Sequence, residues 1–150
     1  KFAVDEFTAA VDALKRSESA AAERDYRQAL NHALDSRERA QNAARLAVEG
    51  RANARGQAEA AVSELATLLS RAHAQLSLKD LESPRLAARL RAPRATVAAA
   101  DKKLQDARTA LKSEDYAAVT KAVNGAATDL QAALTAIDAV AADRPAPRKR

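Results

Sequence analysis

The sequence predicts an all-α chain, an elongated antiparallel helical bundle of four to five helices in which two helical hairpins are joined by a long helix. Three observations lead there. The 47% hydrophobic content is mostly Ala, the strongest helix former, and Arg, Leu, Gln, Glu and Lys follow Ala closely in helix propensity. Only three Gly and four Pro punctuate 150 residues, and no β-branched or aromatic run offers a strand. The third observation is a repeated junction: Glu23-Arg24-Asp25-Tyr26 recurs ninety positions later as Ser113-Glu114-Asp115-Tyr116, each time between two Ala-rich stretches of helical spacing.

The core must be thin. Leu, Val, Ile and Phe together make 27 of 150 residues, a share that signals disorder when net charge is high. Here net charge is +5 and local preference is helical almost throughout, so helix is the reading. Small side chains bury little area each, at about 25 cal/mol per Å². Stability then has to come from closely approaching helices with many small contacts.

The elements follow in order. Val4, Phe7, Val11 and Leu14 alternate at spacings of three and four, the pattern of a helix packed on a partner, and predict helix 1 from about residue 2 to about residue 22. Asp25 can cap a second helix, with Gln28 placed to complete a capping box, and Tyr26, Leu30 and Ala33 open its apolar face. Gly50 and Gly56 each cost about 1 kcal/mol against Ala without forbidding a helix. Val62, Leu65, Leu69, Ala72 and Leu76 resume the heptad, so the second helix is expected to continue to about residue 78. Ser83-Pro84 reads as an N-cap followed by the favoured first helical position, opening a short helix to about residue 91 that Pro93 interrupts. Val97, Ala100, Leu104, Ala107 and Leu111 carry the next helix to about Lys112. Tyr116, Val119, Val123, Ala126, Leu130, Ala133, Ile137 and Val140 carry the last one to about Ala142. The segment from residue 143 to residue 150 has no apolar period and reads as a disordered basic tail.

Junctions of two or three residues force their flanking helices antiparallel. The expected organisation is one bundle domain over residues 1–142, with hairpins at about 2–43 and 94–142 and a connector at about 44–80 that neither hairpin matches. Tyr26 and Tyr116, each after an Asp at a helix start, are expected to plug the ends of Ala-lined hairpins, a packing role.

Chemistry-bearing motifs are missing. There is no Cys, so there are no disulfides, zinc–thiolate sites or thiol chemistry. His32 and His73 belong to no metal motif, since Ala29 and Ser70 stand where a di-iron bundle would place Glu. Neighbouring carboxylates such as Glu114-Asp115 suit the positive end of a helix better than acid–base work across a cleft. No Gly-rich phosphate loop, nucleophile elbow or Ser-x-x-Lys motif occurs. No catalytic, cofactor-binding or metal-ligating residue is therefore assigned, no cofactor or small-molecule substrate is expected, and the chain is read as a non-enzyme. Residues 1–8 lack the apolar stretch of a signal peptide, and a start at Lys1 without Met fits a mature form or an excised fragment.

Basic residues carry the remaining functional signal. Arg85, Arg89, Arg91 and Arg94 form a stretch without an acid, and the tail adds Arg148, Lys149 and Arg150. With a sequence pI of 9.8, these residues are candidates for contact with a polyanion, a membrane headgroup or an acidic partner. Aromatic content of 3% leaves no stacking platform for single-stranded nucleic acid.

The stretch from Leu104 to Val119, with Ala107, Ala110-Leu111 and Asp115-Tyr116, resembles the A-x-x-A-L-x-x-G-D-Y-x-x-A phrase of tetratricopeptide-like helical hairpins. It is also similar to Ala-rich helical domains of functionally uncharacterised bacterial envelope lipoproteins. The resemblance covers residues 104–133 and, more loosely, 11–43; the 90-residue spacing departs from the roughly 34-residue repeat, and the usual Gly and Pro are missing. It implies a hairpin used for assembly or protein contact, with no catalytic residue to carry over; the compartment stays open, a bacterial periplasm or cell envelope being favoured over the cytoplasm. The expected function is a scaffold or adaptor that binds another protein or itself. The alternative is a binder of nucleic acid or anionic membrane through the Arg clusters.

Overall fold

The computed structural model describes residues 2–77 and 84–142, the side chains of Pro84 and Arg85 excepted. The Ser83 cap and the basic tail with Arg148, Lys149 and Arg150 lie outside the described residues. The described residues form five helices: α1 (Val4–Ala22), α2 (Tyr26–Leu76), α3 (Pro84–Arg89), α4 (Arg91–Lys112) and α5 (Tyr116–Ala142). There is no strand among the described residues, and the fold is an all-α helical bundle with helical hairpins. The chain divides into two compact units, Lys1–Ala54 and Arg55–Arg150.

The two junctions are built alike, hydrogen bond for hydrogen bond. After α1, Glu23 remains right-handed and Arg24 turns left-handed at φ 64°; after α4, Ser113 and Glu114 repeat this with Glu114 at φ 58°. The Arg24 N–H donates to Ala21 and the Asp25 N–H to Ala20, while Glu114 donates to Leu111 and Asp115 to Ala110. This is the Schellman pattern that satisfies the last carbonyls of a helix. Each Asp then starts the next helix: Asp25 Oδ1 accepts from Gln28 N–H at 3.0 Å, and Asp115 Oδ1 accepts from Ala118 N–H at 3.1 Å. The expected capping box is only half formed, because the Asp25 N–H that would meet the Gln28 side chain is already given to Ala20. The left-handed position, which favours Gly, is held here by Arg24 and Glu114.

In the first unit, α1 folds back on α2 through small residues. Ala10, Ala13, Ala29 and Ala43 are buried. The Ser17 hydroxyl donates to the Ala29 carbonyl and the Ser36 hydroxyl to the Ala10 carbonyl, each at 2.8 Å. A serine hydroxyl reaches a facing backbone only where the axes lie close, towards the lower end of the ~8–10 Å range of helix packing. That seam corrects the expected packing of Val4, Phe7 and Leu14 on α2: these large side chains would hold the axes apart, and they point to solvent instead.

α2 runs unbroken through Gly50 and Gly56, as the continuity reading expects. Gly50 has a packing reason, since a Cβ there would meet Phe2 Cβ at 2.8 Å, whereas nothing lies within 4 Å of one at Gly56.

The second unit is a three-helix core. Ala58, Leu65, Leu69 and Ala72 of α2 bury against Val97, Ala100, Leu104 and Ala107 of α4 and Val119, Val123, Ala126, Leu130 and Leu134 of α5. The expected unmatched connector at 44–80 is thereby corrected from Ala58 onward: its heptad supplies a third helix to the 94–142 hairpin, because two Ala-rich helices alone leave the Leu and Val rows uncovered. Leu90, Ile137 and Val140 close one end together with Leu76 and Leu86. The short helix is interrupted as expected: α3 ends at Arg89, whose carbonyl Pro93 has no N–H to meet, and Leu90 separates it from α4, in whose first turn Pro93 is buried.

Candidate functional site

Among the described residues, the large apolar side chains that the fold leaves in solvent gather in the first unit. Phe2, Val4, Phe7, Leu14, Tyr26, Leu30, Leu34 and Val48 are between 47% and 70% exposed, and each belongs to α1, its lead-in or the first half of α2. On α1 they follow the row Val4, Phe7, Val11, Leu14; on α2 they follow Tyr26, Leu30 and Leu34. Helix periodicity separates the α1 row by about a third of a turn from the Ala10–Ala13–Ser17 seam.

The rows of both helices open on one side of the hairpin. Phe2, Val4 and Phe7 line a shallow groove of about 470 Å³ with Ala40, Ala43, Ala44 and Ala47 as its floor. Two rings and a Val form one wall and Ala methyls the base, so the groove can take an apolar side chain from elsewhere and offers no convergent polar group to orient a metabolite.

The opposite side of the hairpin is polar. Glu6, Asp35, Glu38, Arg39, Asn42 and Arg45 line a trough of about 610 Å³. Arg39 joins the two helices there, with Nε 2.9 Å from Asp35 Oδ1 and an Nη 3.7 Å from Glu6. Arg45 bonds Glu49 at 3.0 Å and Asn42 at 2.8 Å. These are solvated pairs of the usual surface kind, each worth up to about 1 kcal/mol.

The second unit offers less. An Ala-lined furrow of about 380 Å³ runs between α4 and α5 from Pro93 to Lys103 and Ala126 to Ala136. His73 joins α2 to α4 through a 2.9 Å contact between Nε2 and Asp101 Oδ2, and Gln75 joins α2 to α5 through a 2.7 Å bond to Asp138. The Arg55 guanidinium has its pKa raised by a 2.7 Å hydrogen bond to Glu59, which keeps it a fixed cation beside the second junction.

The residues proposed from the sequence are only partly brought together. Arg89, Arg91 and Arg94 are exposed where α3 passes into α4, and no acid stands in the first turn of α4. The Arg85 side chain lies outside the described residues. Tyr116 packs half-buried on the second unit's core, but Tyr26 is 70% exposed and does not plug its hairpin. Among the described residues no cluster of His, Cys, Asp and Glu could hold a metal, and no helix is long and apolar enough to cross a membrane.

The exposed face was missed because α1 carries two rows at heptad spacing. The large row, Val4 to Leu14, draws the eye; the small row, Ala3, Ala10, Ala13, Ser17 and Ala20, forms the seam. A helix with two such rows has more apolar circumference than one neighbour covers. No protein-family model, curated protein or solved structure matches this chain.

Proposed function

We propose that the chain is a non-enzymatic helical scaffold or adaptor that assembles through the apolar face of its α1/α2 hairpin. The observation that supports this is the group of eight large apolar side chains left 47–70% exposed in one unit. Scaled from roughly 150–250 Å² for a whole ring and somewhat less for an aliphatic side chain, they leave on the order of 900 Å² of apolar surface in water. A bacterial cell envelope is the setting implied by the resemblance of its Ala-rich helices.

The test is affinity capture on immobilised full-length chain, from a mixture of cell extract and purified free chain. The double variant Phe7→Glu/Leu30→Glu should lose proteins that the unaltered chain retains. Equal retention by both would count against the reading.

A second reading, contact with anionic polymers or headgroups, draws on the exposure of Arg91 and Arg94 and the lack of an acid in the first turn of α4. Replacing both by Gln should reduce the salt slope of binding to a polyanion by about 2. An unchanged slope would remove it.

A further inference from the structure

We infer that the occupant of the α1/α2 face is a second copy of this chain, packed antiparallel to the first so that two hairpins make a four-helix bundle. This rests on the reading of that face as an interaction surface and names what covers it.

Three features of the face argue for self-association. The first is area. On the order of 900 Å² of exposed apolar side chain per copy matches the roughly 800 Å² per partner of a stable interface. One two-fold contact covers the side chains from Val4 to Leu34 on both copies at once and leaves Phe2 and Val48 beyond its ends.

The second is shape. The groove walled by Phe7 and floored by Ala40, Ala44 and Ala47 is a hole, and Tyr26, 70% exposed at the other end of the same face, is a knob. The serine bonds fix the levels along the hairpin: residue 17 stands level with 29, and residue 10 with 36. Tyr26 therefore lies at the junction end of the face and the groove at the far end. Only an antiparallel second copy sets each knob over the other copy's hole.

The third is charge. Following heptad steps, the α1 row passes from Val4 to Val11 to Glu18, and the α2 row from Leu30 to Arg37 to Ala44. Glu18 and Arg37 are thus the acid and the base that interrupt the two rows, and both are exposed. Arg37 stands level with residue 9 of α1, about nine residues along the hairpin from Glu18. A two-fold axis passing close to Leu14 brings Glu18 of each copy level with Arg37 of the other, and Tyr26 level with Phe7. The pairing occurs twice per dimer, and it fails in a parallel arrangement, where Glu18 meets Glu18.

Sedimentation equilibrium on the full chain, which reads mass independently of shape, tests this. The unaltered chain is expected to move from 15.9 kDa towards twice that mass as concentration rises through the micromolar range. Glu18→Arg, which sets cations opposite each other twice, should weaken association on the order of 10-fold, and adding Arg37→Glu should restore it. Phe7→Glu/Leu30→Glu should abolish it with helical circular dichroism unchanged, since both side chains are exposed within one copy. Glu38→Gln, on the polar side, should leave it intact. A chain that stays at monomer mass, a dimer that survives Phe7→Glu/Leu30→Glu, or a Glu18→Arg effect that Arg37→Glu does not restore would each overturn the inference. A monomeric chain that still captures another protein through the face would leave the interaction reading standing and remove only the second copy.

Discussion

Arg24 and Glu114 hold the same left-handed backbone conformation, φ 64° and φ 58°, at the same position of two junctions whose hydrogen bonds correspond one for one. For a residue with a Cβ that conformation costs roughly 1–2 kcal/mol. The cost is accepted at both turns because the Schellman bonds and the following Asp cap make each turn do two jobs within three residues. Glycine would relieve the strain, less the extra backbone entropy it loses on folding. Arg24→Gly should raise stability by about 0.5–1 kcal/mol, read as a higher denaturant midpoint at constant m value. A lower midpoint for Arg24→Gly would show that the Arg side chain contributes more than its backbone costs.

Gly50 and Gly56 lie in one helix but should respond oppositely to Ala. With nothing within 4 Å of a new Cβ, Gly56→Ala gains the helix propensity alone, about 1 kcal/mol. Gly50→Ala would bring a methyl to 2.8 Å from Phe2 Cβ, so the same gain is offset by displacing Phe2. Thermal melts of the two variants, with Phe2→Gly added to each, check this: removing the side chain from Cβ outward should improve Gly50→Ala relative to its background and leave the effect of Gly56→Ala unchanged.

The two junction tyrosines differ in burial and so in consequence. Tyr116 packs on the second unit's core, and Tyr116→Ala should destabilise by about 1–3 kcal/mol through lost contacts. Tyr26 is 70% exposed, and Tyr26→Ala should change stability at low protein concentration by less than about 0.5 kcal/mol. Chemical denaturation at a concentration well below that of any association separates the two; equal losses would refute the assignment of the first junction as an open end.

The seam of the first hairpin depends on two hydroxyls. Ser17→Ala and Ser36→Ala each remove a 2.8 Å bond to a facing carbonyl and should cost about 0.5–1.5 kcal/mol apiece. Ser17→Val should cost more than Ser17→Ala, because added bulk pushes the axes apart. Hydrogen exchange at α1 amides, read residue by residue, is the measurement, and protection equal to that of the unaltered chain would refute the seam.

Much of the local structure was legible in the residues themselves. Ala content predicts helix almost everywhere, Asp25 and Asp115 mark their starts, and the weak breaking power of an isolated Gly explains why α2 passes through Gly50 and Gly56. The half-formed capping box was not legible, since it turns on where the Asp25 N–H goes once the preceding helix has ended. Nor was the start of α4 at Arg91, because a breaker at Pro93 marks the interruption without saying how many residues before it the next helix begins.

Which apolar row meets which neighbour was beyond the sequence. Heptad spacing identifies the faces of a helix without pairing them, and Ala is ambiguous between a close seam and a plain helix former. By itself the sequence determined the all-α class, the two junctions and the lack of any recognisable catalytic or metal motif, because these follow from local backbone preference and short-range spacing. Only the tertiary structure decided that α1 meets α2 through Ala10, Ala13 and Ser17 while Phe7 and Leu14 face solvent. It also decided that Leu65 and Leu69 complete the core of α4 and α5. The reason is physical: close approach of two backbones favours the smallest side chains at the seam, and that competition between rows is settled only when the helices are set against each other.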